Sequence, residues 1–157
     1  MLTQFPLDPT RLNSPEQIRS YTTYKNLRSL ADGMTKDAMK LDGTSADVDG
    51  VKNDRVVLSD RKLENERARF TGVVSGDGTL LLEGRDTIFD SDSPGTYSTF
   101  KSKFSITNGD NGEQTFFYGL NHENHYNGKT RVNDRQESFQ INESKGWVIH
   151  TSEATQR

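Results

Sequence analysis

The sequence predicts a mainly β protein: an antiparallel meander that closes into an up-and-down β-barrel or a strongly curved sheet, with an N-terminal α-helix packed on it. Three observations carry this. From residue 55 onward, apolar residues recur at every second position, as in Phe100, Phe104 and Ile106 against Lys101, Lys103 and Ser105. That is the alternation of a strand with one face on a core and the other in water. Turn clusters separate the patterned runs, at Ser75–Gly78, Asp90–Gly95, Thr107–Gly112, Tyr126–Lys129 and Glu143–Gly146, and their Asp-Gly and Asn-Gly steps supply the positive φ of tight hairpins. After residue 66 no connection has the dozen or more residues that a parallel crossover needs.

Residues 1–13, with Pro6 and Pro9, read as an extended arm. A helical segment follows over 14–41, with Ser14 as N-cap, Pro15 at the first helical position and Gln17 completing a capping box. Ile18, Tyr21, Tyr24, Leu27, Leu30, Ala31 and Met34 form its apolar stripe. Gly33 reads as a stop, with a short second helical turn over 35–41. Residues 42–54 break all periodicity and read as an acidic flexible loop. Asp47, Asp49, Asn53 and Asp54 offer oxygen donors there, but with Gly50 at the sixth EF-hand position Val56 falls where the bidentate glutamate belongs. Residues 55–157 then supply seven or eight strands, beginning with Arg55–Asp60, and the whole chain reads as one domain. The arrangement resembles the calycin architecture of lipocalin-like barrels in general shape. The Gly-x-Trp near the start of lipocalins is absent, the single tryptophan being Trp147.

Composition narrows the function classes. Only 30% of the residues are hydrophobic and mean hydropathy is −0.87, so the core is thin and stands to gain from a protein partner or self-association. Twenty basic residues against 23 acidic ones keep the charge balanced, which argues against disorder. A net charge of −3 gives no electrostatic case for nucleic acid or an anionic membrane. With no cysteine, disulfides and thiolate chemistry are excluded. No run has transmembrane length and the first residues lack the pattern of a signal peptide, so a cytoplasmic protein is expected.

Small barrels hold ligands inside, so polar residues on the inward register are the site candidates. Asp86 shares parity with Leu80, Leu82 and Ile88 across Gly84, which would make room beside it. Tyr118 and His122 fall with Phe116 and Leu120, and Glu137 with Phe139 and Ile141. A buried carboxylate needs a partner, and Arg85, Arg131 and Arg135 are the nearby cations. The set expected to bind ligand is therefore Asp86, Tyr118, His122, Glu137 and Arg135. His122, His125 and His150 are weak metal candidates: three histidines can hold zinc, but residues three apart on a strand face opposite sides. His150-Thr-Ser152 matches only half of the paired motif of two-histidine phosphoesterases. No phosphate loop or nucleophile elbow is present, and no cofactor is implied. The expected function is non-enzymatic, either binding a partly apolar small molecule or docking a protein. The alternative is a barrel enzyme with simple acid–base chemistry, of isomerase, cyclase or chromophore lyase type, using Asp86, Tyr118 and His122 or Glu137.

Overall fold

The computed structural model describes residues 1–41, 56–74 and 79–157. The loop 42–54, with its rejected calcium register, and the Ser75–Gly78 turn lie outside the described residues. Eight strands, β1 Leu2–Pro6, β2 Val56–Leu63, β3 Glu66–Val74, β4 Leu80–Phe89, β5 Tyr97–Asn108, β6 Glu113–Tyr126, β7 Lys129–Asn142 and β8 Trp147–Gln156, and one long helix, α1 Pro15–Leu41, make up the fold. The strands form one antiparallel sheet in the order β1-β8-β7-β6-β5-β4-β3-β2. It is the expected meander, with the first strand added beside the last.

The barrel does not close. The ladder ends at β1 on one side and β2 on the other. Closure is unnecessary because α1 covers the apolar face, and both edges are blunted. β1 is short and ends in Pro6, which has no N–H, while β2 carries Asp60, Arg61 and Lys62 and a register shift between Val57 and Ser59. Residues 2–6, part of the segment read as an extended arm, pair as a strand in the sheet, with Phe5 wholly buried opposite Val148. The hairpin at Asn127-Gly128 has positive φ at both residues, 51° and 72°, the geometry that matches strand twist.

α1 is one continuous helix through Gly33. Glycine in a helix interior costs only about 1 kcal/mol, so it need not act as a stop. Ser14 Oγ accepts from the Gln17 backbone N–H at 3.1 Å, and Gln17 Oε1 accepts from the Asn13 N–H at 2.8 Å. The N-terminus is capped as its sequence implies, with the return bond falling one residue earlier than in a standard box. The helix crosses one face of the sheet from β1 and β8 towards β4 and β5. Tyr21 meets Phe5 edge-on at 6.0 Å, Tyr24 lies 5.1 Å from Phe139, and Ala31 borders Leu82 and Phe104. Phe5, Phe116, Phe139 and Val148 are wholly buried at this contact, with Leu27, Ala31, Leu82, Phe104, Tyr118 and Ile141 around them. The buried stripe runs Ser20, Leu27 and Ala31, with Tyr24 and Met34 packed alongside, while Ile18 and Leu30 are half-exposed on the flanks. Among the described residues no helix is long and apolar enough to cross a membrane.

Candidate functional site

The five expected ligand residues share the face that α1 packs on. Asp86, Phe100, His122 and Asn133 form one cross-strand row; Tyr118 stands opposite Glu137, and Leu120 opposite Arg135. They divide into two groups with different chemistry. Gly84 makes no room for a ligand. The Phe70 ring fills the space over it, so closely that a Cβ there would come within 2.3 Å of that ring.

Glu137, Arg135 and Tyr118 belong to a network that ties α1 to the sheet. Glu137 is 3% exposed. Its Oε1 accepts from Arg135 Nε at 2.9 Å and Ser152 Oγ at 3.1 Å, and its Oε2 pairs with His150 Nε2 at 2.5 Å. His150 Nδ1 lies 2.9 Å from Ser20 Oγ on the helix. An ionised Glu137 can only accept, so Nε2 donates to it and Nδ1 is left to accept from the serine hydroxyl. The His150 ring stacks on Phe139 at 4.4 Å, and the Arg135 guanidinium stands 5.8 Å over Tyr118. Burial pushes the Tyr118 phenol pKa up. Of the cations expected to serve Glu137, Arg135 does so, whereas Arg85 points to the other face. Ser20 and His150 were not expected in this role. Ser20 has a sequence signal, since 20, 24, 27, 31 and 34 form one helical stripe.

Serine, histidine and carboxylate in hydrogen-bonded series have the order of an acyl-transfer triad. Ser20 is 5% exposed and His150 7%, and a nucleophile so placed between helix and sheet meets no substrate. The chain of bonds is a structural clasp.

Asp86 and His122 form the second group. The Asp86 carboxyl lies against Glu66, which also pairs with Arg61 at 2.6 Å. Desolvation, and then the Glu66 carboxyl, raise the Asp86 pKa; the Asp86 hydrogen bond, and then Arg61, lower that of Glu66. The pKa values of the two neighbouring carboxyls are thus pushed in opposite directions. Among the described residues Asp86 Oδ1 and His122 Nε2 are buried without a hydrogen-bond partner, and His122 stacks on Phe100 at 4.2 Å.

The three histidines are not brought together. β6 continues as a strand through His122-Glu-Asn-His125, so His125 points to the opposite face, where it stacks on Tyr97 at 4.3 Å and meets Thr130 Oγ1 at 3.0 Å. His150 is held in the clasp. Among the described residues no cluster of three or more metal-ligating side chains occurs.

A hollow lies on the far face, turned away from α1. It measures about 710 Å³ and is lined across β3–β7 by Arg69, Arg85, Lys101, Lys103, Phe117 and Asn121 among others. Register sets these side chains abreast. Arg69 is directly opposite Arg85, Arg85 opposite Lys101, Lys101 opposite Asn121, and Asn121 opposite Asp134. Neighbouring strands are about 4.8 Å apart, so three cations stand within about 10 Å. Among the described residues none of the three makes an ion pair. Like charges directly opposite each other are destabilising. Beside them the Phe117 ring lies along the strand over Gly119, where a Cβ would stand only 3.1 Å from it, and Lys103 sits 5.9 Å from the ring centre. This site lies on the register opposite to the one on which a ligand inside a barrel is expected.

Comparison of the chain with protein-family models, curated proteins and solved structures finds no significant match.

Proposed function

We propose that this protein is a non-enzymatic binder of a small, partly apolar anion, held on the far face of a curved, calycin-like sheet. The observation that carries the reading is the row Arg69–Arg85–Lys101, three cations that make no ion pair among the described residues, abreast in a hollow of about 710 Å³. That volume lies within the usual range of ligand sites. Mutual repulsion makes the row a cost to the folded protein, and an arrangement that costs stability is expected where a site is kept for use. Phe117 and the Gly119 backbone give an apolar floor, and the cations give charge-assisted hydrogen bonds to a carboxylate, sulfonate or phosphate. Glu83 and Asp134 flank the row, which suits a compact anion better than an extended polyanion.

The probe is 8-anilinonaphthalene-1-sulfonate, an apolar ring system carrying one anion. Its fluorescence should rise on titration at low salt. Arg85→Ala and Lys101→Ala should each weaken binding about tenfold, the scale of one charge-assisted hydrogen bond. Arg85→Ala should also raise stability by up to about 1 kcal/mol, because the central like charge is removed. Equal affinity in the wild type and the double variant would end this reading.

One observation favours the acid–base alternative: Asp86 is a carboxyl whose pKa is raised beside Glu66. If Asp86 serves as an acid–base catalyst, Asp86→Asn should lower turnover of any substrate found by about 10²–10⁴-fold. Unchanged turnover removes Asp86 from that role.

A further inference from the structure

Asn121 stands at the end of the cation row, opposite Lys101 on one side and Asp134 on the other. Its Nδ2 donates to Asp134 Oδ1 at 2.6 Å, and Asp134 Oδ2 is held by Arg157 Nη2 at 3.0 Å. A carboxylate only accepts hydrogen bonds. Asp134 therefore fixes the direction of the Asn121 amide: the NH₂ must face it, and the carbonyl oxygen must turn away. That oxygen, Oδ1, is buried and receives no hydrogen bond among the described residues. Lys101, its cross-strand neighbour, is exposed and makes no hydrogen bond to it. An orphaned acceptor is one of the more costly features a fold can keep, and it is rare without a reason.

We infer that the ligand of the far-face hollow carries a hydrogen-bond donor, a hydroxyl or N–H, beside its anionic group, and that Asn121 Oδ1 receives it. This rests on the anion-binding reading and specifies its ligand class: a flat, partly apolar anion bearing a donor. The anion lies on Arg85 and Lys101, the ring on Phe117, and the donor on Asn121. Lys101 and Arg85 are exposed, so they can turn towards the ligand by changing rotamer. Asp134 is a positioning residue, acting only through the orientation it imposes on Asn121.

The test is displacement of 8-anilinonaphthalene-1-sulfonate by naphthalene-2-sulfonate and by its hydroxylated isomers as a panel. At least one hydroxylated isomer should bind the wild type about 5- to 20-fold more tightly than the parent, the gain from satisfying one buried acceptor. Asn121→Ala should abolish that preference while leaving the parent's affinity within about twofold. Asp134→Asn should also reduce it, because an amide there can donate to Asn121 and satisfy Oδ1 internally. Melting curves on both variants check that they remain folded. If the parent and every isomer bind equally, or if the preference survives Asn121→Ala, this inference is overturned while anion binding stands. Failure of every sulfonate to bind overturns both.

Discussion

Single side chains in this protein are decided by what each polar atom finds within reach. Burial, and then the Glu66 carboxyl beside it, raise the Asp86 pKa, which gives its titration a definite sign. With its folded pKa above the value of 3.8 for a free aspartate, the native state binds more protons than the unfolded state across that interval. The stability it contributes is present below the unfolded pKa and is lost as pH rises through the folded one. Glu66, whose pKa is lowered, works in the opposite sense, losing its contribution as pH falls through its folded pKa. Asp86→Asn keeps a donor for Glu66 and removes the titration. The variant should therefore gain stability relative to wild type as pH is raised from about 4 towards neutrality. Urea midpoints at a series of pH values measure this, and a difference that does not change with pH would place Asp86 outside the pair. Glu137 is the contrasting case. Its oxygens are fully occupied by Arg135, Ser152 and His150, so Glu137→Ala should cost about 1–3 kcal/mol by leaving the buried His150 donor unpaired. Ser20→Ala, which leaves His150 Nδ1 buried without a donor, should cost about 1–3 kcal/mol.

Among the elements, α1 shows how a stripe read from sequence divides once it meets a surface. Leu27 and Leu30 both belong to the apolar stripe, yet Leu27 is 7% exposed and Leu30 49%. Leu27→Ala should destabilise by about 2–5 kcal/mol, since it leaves a cavity among Phe116, Phe139 and their neighbours. Leu30→Ala should shift stability by no more than about 0.5 kcal/mol. Denaturant midpoints of the two variants compare them directly, and equal losses would mean that α1 sits on the sheet at a different rotation. The helix start was legible because capping is local: Ser14, Pro15 and Gln17 lie within one turn of one another. Its end was not, because whether Gly33 stops a helix depends on what packing supports the turns on either side. The extended reading of residues 1–13 left open what the arm pairs with, for the same reason. Phe5 was apolar in isolation, and only β8, 142 or more residues away in the chain, gave it a place.

In the whole molecule the stability gradient should follow the sheet. β6 and β7 are the longest strands, at 14 residues each, and stand in the interior of the ladder with α1 crossing them. β2 is an edge bearing charged residues and a register shift. Native-state hydrogen exchange should therefore find the slowest amides in β6 and β7 and much faster exchange in β2. Comparable protection across all eight strands would imply an edge covered in solution. The sequence by itself determined the strand content, the antiparallel meander, the helix start and the facing of Asp86, Tyr118, His122, Glu137 and Arg135, because a period of two or 3.6 residues is written in neighbouring positions. Tertiary structure alone decided that the sheet stays open, that Ser20 and His150 close on Glu137, and that Arg69, Arg85 and Lys101 stand side by side. Each of these depends on register between strands joined by turns of unspecified length, and one residue of slip would send a side chain to the opposite face.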